Sequence, residues 1–145
     1  IRDRFNFGDL FRLNAKDLKN ITFEEIQKKY KKNISKDFWN AIKQNVDSLE
    51  DIDEWVKIIY NNHFNQKYTK DKTKMVQIAF NILPKNIDKK TWNLWTKKIS
   101  KLSGIKGKDL YLTLRSLITG KEKGPEMNLL LPLIDRDEIL RRLKN

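Results

Sequence analysis

Apolar positions recur at helical spacing along almost all of the 145-residue chain. After Ser48, the residues Leu49, Ile52, Val56 and Ile59 fall at i, i+3, i+7 and i+10, one face of a helix that has to be buried. Trp92, Trp95, Ile99 and Leu102 trace a second stripe, and Gly104 stands where a helix-ending glycine belongs. Within "GKDLYLTLRSLIT", Leu110, Leu114, Leu117 and Ile118 point inward as a third, closed by Gly120. The helical pattern of "KMVQIAFNIL" stops at Pro84.

Start signals agree with these stripes. Thr22 with Glu25 three residues on has capping-box spacing and predicts a helix through "FEEIQKKYKK". Ser35 opens "KDFWNAIKQN", and Asp88 precedes the Trp92 stripe. Pro125 is read at the favoured first position of a helix over "EMNLLLPLI", which Pro132 should kink or end. In "DRDEILRRLKN", Asp135 and Glu138 repeat the capping-box spacing, and Arg141, Arg142 and Lys144 suit the negative end of the helix dipole. No stretch alternates as a strand would, so the fold class is all-α. The polar, aperiodic "NNHFNQKYTKDKT" reads as a joint between two helical halves, about 1–62 and 70–145.

Charge then narrows the partners. The 31 Lys plus Arg against 19 Asp plus Glu leave a net charge of +12, which favours polyanions, nucleic acid first and anionic membrane second. A chain this rich in Lys, Asn and Ile also has the composition of an A- and T-rich genome, so the placement of charge matters more than its sum. Between Lys85 and Lys108 there are eight lysines and one acid, Asp88. Lys89, Lys90, Lys97, Lys98 and Lys101 lie mostly off the tryptophan stripe. They form either a sugar-phosphate contact surface or a solvated face coloured by codon usage. Trp92 and Trp95 could stack bases, but their spacing with Ile99 favours core packing, and Trp39 and Trp55 are read the same way.

Several classes drop out. Zero cysteines exclude disulfides and thiolate metal sites, and the single His63, read as a solvated loop residue, excludes a multi-histidine cluster. Phosphate-loop, GxSxG and HExxH signatures are absent, and Asp51 with Asp53, or Asp135 with Asp137, sit at helix starts as caps rather than catalytic acids. No catalytic residue is expected. No stretch has the roughly 20 apolar residues that span a bilayer, and no signal peptide is evident, so a soluble cytoplasmic chain is expected. The first residue, Ile1, is not Met, which suggests an excerpt of a longer protein.

The segment "KGKDLYLTLRSLITGKEKGPEM" is unlike the rest, because it sets Arg115 among leucines and follows the helix with a basic loop ending in Pro125. At the mouth of a bundle, Arg115 would aim a rigid fork of donors at a base edge or phosphate. The loop would bring further cations and the free N–H groups of the next helix start to the same place. Such a site suits unstacked RNA bases. The alternative is a plain interhelical turn.

The run from "TWNLWTKK" to "DEILRRL" closely resembles the C-terminal anticodon-binding domain of bacterial glutamyl-tRNA synthetases, whose hallmark is GKxLxxPLRxALTG, a short loop, GPE and LLPLIGR. Matching residues are Gly107, Lys108, Leu110, Leu114, Arg115, Leu117, Thr119, Gly120, Gly124, Pro125, Glu126 and the "LLPLI" run. "LNAKDLKNITFEEIQKKY" and "FWNAIKQNVDSLEDIDEWV" resemble the preceding part of alphaproteobacterial-type members, so the likeness covers nearly the whole chain.

The resemblance implies a helix cage of two packed bundles that holds a tRNA anticodon loop. Arg115, Gly124, Pro125 and Met127 would approach the anticodon bases, and Lys106, Lys108, Lys121 and Lys123 the RNA backbone. Thr113 replaces the usual proline before the Leu-Arg pair. Asn45, in "KQNVDSL", stands where some members carry the second arginine of an RPRFDTL-like segment that reads the third anticodon base. That substitution implies weaker discrimination between C and G there, and leaves open whether the partner is glutamate tRNA alone or glutamine tRNA as well.

The family's catalytic signatures, HIGH-like and KMSKS-like, are missing from this chain, so ATP, Mg²⁺ and glutamate are expected to bind only the parent enzyme, a monomeric glutamate-tRNA ligase. A basic helical protein-interaction domain without RNA preference is the alternative.

Overall fold

A computed structural model of the chain describes residues 20–30, 34–62 and 70–144. Among them the fold is all-α, with no strand. In order, the helices are α1 (Phe23–Tyr30), α2 (Lys36–Ile42), α3 (Leu49–Tyr60), α4 (Thr73–Ile82), α5 (Thr91–Ser103), α6 (Gly107–Thr119), the single turn α7 (Met127–Leu130) and α8 (Arg136–Lys144). Short 3-10 turns lie at Lys43–Asn45, Lys70–Lys72 and Leu131–Leu133. His63 and the segment 63–69 of the expected joint lie outside the described residues, as do residues 13–19.

The chain divides into two compact units, residues 1–56 and 57–145, so the division falls inside α3. In the first unit the predicted caps are made. Thr22 Oγ1 accepts the Glu25 N–H at 3.2 Å, and Glu25 returns a carboxylate to the Thr22 N–H at 3.4 Å. Ser35 Oγ accepts the Phe38 N–H at 3.0 Å, and Ser48 Oγ the Asp51 N–H at 3.2 Å. Ile26, Phe38, Trp39, Ile42 and Ile52 are buried. The helix expected to run through Asn45 stops at Ile42 and tightens into the 3-10 turn, after which Val46 turns extended and enters the core. Of the paired acids, Asp51 accepts the Asp47 N–H at 2.9 Å, whereas Asp53 accepts the Tyr30 hydroxyl rather than acting as a cap. That bond and burial push the Tyr30 hydroxyl far above its ordinary pKa, burial being the larger cause.

The second unit is built on α4 against α5 and α8. Trp95 is buried in it and donates its Nε1–H to the Ala79 carbonyl at 3.1 Å, which meets the polar demand of a buried indole. The α5 stripe is shorter than expected. Trp92, Trp95 and Ile99 are buried, but Leu102, one turn further on, is 57% exposed because the helix ends at Ser103 beyond the edge of the layer it covers. A groove of about 450 Å³ lined by Thr73, Val76, Phe80, Leu143 and Lys144 contains none of the residues expected to contact RNA.

Two arginines hold this unit together in ways the spacing did not predict. Arg136 donates from Nε to the Pro84 carbonyl at 2.8 Å and from Nη2 to the Leu83 carbonyl at 3.0 Å, closing the end of α4. Arg142, expected on the wet last turn of α8, is 0% exposed. It donates to the carbonyls of Ile118 and Ile58, each at 2.7 Å, to Asn62 Oδ1 at 3.0 Å and to Glu138 at 2.7 Å. Glu138 therefore does not complete a capping box with Asp135; its carboxylate is drawn forward by Arg141, at 2.6 Å, and Arg142.

Candidate nucleic-acid interface

The residues singled out in "KGKDLYLTLRSLITGKEKGPEM" meet at the C-terminal end of α6. Leu110, Leu114, Leu117 and Ile118 are buried, which fixes the rotation of the helix and leaves Arg115 half-buried at the edge of the apolar face. Gly120 ends the helix at φ 76°, and its N–H bonds the Ser116 carbonyl at 2.8 Å. Gly124 takes φ 154°, so both glycines framing the loop adopt backbone that a side chain would strain. At the last position of α6, the buried Thr119 hydroxyl accepts the Lys121 N–H at 3.1 Å and donates to the Arg115 carbonyl at 2.8 Å. The loop is thus stapled to the last turn of α6.

Arg115 points into this loop. Its Nη1 donates to the Pro125 carbonyl at 2.9 Å, and this is the guanidinium's one protein partner among the described residues, leaving most of its five donors for a ligand. Partial burial lowers its pKa from the ordinary arginine value, through loss of solvation. A guanidinium in that state gains from an anionic or carbonyl-rich partner, since it has already shed part of its water.

Pro125 is not the first residue of the next helix, as the sequence suggested. Glu126 is the cap, with extended ψ 132°, and its carbonyl accepts the Leu129 and Leu130 N–H groups at 3.0 and 3.1 Å. The Pro125 carbonyl is thereby free of helix duty and available to Arg115. Met127 also departs from expectation. It is 2% exposed, with its side chain in the core beside Leu130, so a nucleotide would meet the backbone and Gly124 there before it met the thioether.

The four lysines do not form one cluster. Lys123 is exposed in the loop beside Arg115, and Lys121 is partly covered there. Lys106 and Lys108 flank the start of α6, a 13-residue helix and therefore about 20 Å from the loop end. Lys108, Tyr111 and Arg115 nevertheless lie along one edge, at i, i+3 and i+7. Tyr111, which the sequence reading passed over, is 47% exposed with its ring tilted 40° against Trp92 at 6.4 Å. The signal that would have found it is its place between Lys108 and Arg115.

Asn45 is exposed at the end of its 3-10 turn in the first unit. Three carboxylates of this unit have protein partners: Asp88 accepts the Lys90 N–H at 2.8 Å, Asp109 pairs with Lys72 at 2.7 Å, and Glu138 pairs with Arg141 and Arg142. No group of acids and histidines among the described residues fits a metal ion, and no described helix is long and apolar enough to cross a membrane.

Comparison with known proteins places the chain among relatives by sequence. The family model described as the anticodon binding domain matches residues 13–145. The chain is 42% identical over 139 residues to glutamate-tRNA ligase 1 of Rickettsia prowazekii (strain Madrid E), covering 93% of this chain and 31% of that protein. It is 39% identical over 140 residues, with the same coverage, both to glutamate-tRNA ligase 1 of Rickettsia felis and to glutamate-tRNA ligase 2 of Rickettsia canadensis. The chain thus spans about a third of the length of these curated relatives.

Proposed function

The chain belongs to the anticodon binding domain family, and from that premise we propose that it grips the anticodon loop of a tRNA as the RNA-reading part of a glutamate-tRNA ligase. The observation that carries this is the Arg115 guanidinium, held by one bond to the carbonyl of Pro125, the residue that closes the loop carrying Lys121, Lys123 and Gly124. A fork fixed at one prong loses little conformational freedom when the others meet a base edge. Lys123 and Lys121 neutralise neighbouring phosphates and release counterions. The ATP- and Mg²⁺-dependent joining of glutamate to tRNA belongs, in this reading, to the remainder of a monomeric cytoplasmic parent. No step of that reaction is assigned to residues of this chain.

Titration of a glutamate tRNA transcript, followed by anisotropy, tests the proposal. Arg115→Ala should weaken binding by about tenfold to a hundredfold, the equivalent of a charge-assisted hydrogen bond of about 1.5–3 kcal/mol. Binding should also weaken steeply as salt rises. Equal affinity for tRNA and heparin, unchanged in Arg115→Ala, would leave only a protein-docking role. The same titration addresses the finer specificity. With Asn45 exposed where an arginine reads in some members, transcripts with C or G at the third anticodon base should bind alike, admitting glutamine tRNA. A tenfold preference for C that disappears in Asn45→Ala would overturn this.

A further inference from the structure

From the row on α6 we infer that Tyr111 is a stacking platform for a nucleotide next to the one Arg115 contacts, an inference that rests on the RNA-binding reading above. Three observations carry it. Tyr111 is 47% exposed, one of the few large apolar side chains left open to solvent among the described residues. It precedes Arg115 by one helical turn on the same edge, a rise of about 6 Å, so a base lying on the ring would sit beside the guanidinium rather than beyond its reach.

The third observation is rigidity. The Tyr111 ring lies tilted 40° to that of Trp92 with centroids 6.4 Å apart, Trp92 meets Trp95 edge-on at 6.0 Å, and Trp95 is anchored by its bond to the Ala79 carbonyl. Below it, the salt bridge from Lys72 to Asp109 and the Thr113 hydroxyl bonded to the Asp109 carbonyl at 2.8 Å hold the first turns of α6. The contact with Trp92 limits the motion of the ring, and about half of Tyr111 remains open to solvent. Aromatic platforms of this kind accept any base, because every base has a π face, so Tyr111 adds affinity without adding a sequence preference. The division of labour is then explicit: the ring holds a splayed base and the guanidinium reads its neighbour.

The test uses this chain and a glutamate tRNA transcript, with 2-aminopurine placed in turn at each anticodon-loop position. Tyr111→Leu should weaken binding by about tenfold, while Tyr111→Phe, which keeps the ring, should bind as the parent chain does. At one position the parent chain should quench 2-aminopurine fluorescence, and Tyr111→Leu should restore it. If Arg115→Ala weakens binding but Tyr111→Leu neither weakens it nor restores the fluorescence, the platform is overturned and the anticodon reading stands. If Arg115→Ala has no effect either, the anticodon reading itself fails. Loss of affinity in Tyr111→Phe as great as in Tyr111→Leu would place the effect on the hydroxyl and also overturn stacking.

Discussion

Arg142 is a cation with no route to water, and burying it is tolerable only because every direction of its fork ends on an oxygen. Replacement by Met would leave the Ile58 and Ile118 carbonyls without that donor, and urea denaturation should show a loss of about 3–5 kcal/mol. The paired acid gives the same cluster a pH signature. The hydrogen bond from Arg141, with the Arg142 bond behind it, holds the Glu138 carboxyl below its ordinary value of 4.5, although burial opposes the shift. A carboxyl whose folded pKa lies below its unfolded one stabilises fully above the unfolded value, and that contribution is lost as pH falls through the folded one. The acid side of the stability curve should therefore steepen below about pH 4.5 and flatten in Glu138→Gln. The i, i+4 spacing of Glu138 and Arg142 was legible in the sequence. The acceptor at Ile58, 84 residues earlier, was not, because no local periodicity encodes which carbonyls a tertiary fold leaves open.

Helices were the most legible elements, since stripe and cap signals coincide. Thr22, Ser35, Ser48, Gly104 and Gly120 each do what their residue type favours, and Trp92 and Trp95 are core residues, as their spacing with Ile99 required. What the pattern could not supply was where a stripe leaves the core. Leu102 continues the α5 periodicity but extends past the layer it covers, so the two ends of one stripe should respond differently to truncation. Ile99→Ala should cost about 2–5 kcal/mol, as a buried aliphatic does, and Leu102→Ala should stay within about 0.5 kcal/mol; both are read from denaturant midpoints. The element between α6 and α7 shows the same limit. Proline is common at a first helical position, yet the Glu126 carbonyl starts the helix, and the difference of two residues exposes the oxygen that Arg115 takes.

For the molecule as a whole, a net charge of +12 reports a preference for polyanions without saying where they sit. Lys97, Lys98 and Lys101 are all exposed on α5, and the sequence alone left their face open between phosphate contact and composition. If each of the three meets a phosphate of the bound loop, changing all of them to Gln should reduce the log-log salt slope of tRNA binding by about 2. An unchanged slope would mark the face as compositional. The candidate site itself was legible where a motif joins distant chemistry in one short segment, as Arg115 and Pro125 do. It was illegible where exposure decides, as for Met127, which is buried, and Tyr111, which is not.

The division of the chain inside α3 sets a condition on dissecting the gene. A C-terminal piece that starts at the 3-10 turn Lys70–Lys72 looks natural on a linear map, yet it omits both Ile58 and Asn62 and would strand the most deeply enclosed guanidinium. Starting such a piece at Leu49 keeps the last turn of α3 attached to the side chain that depends on it.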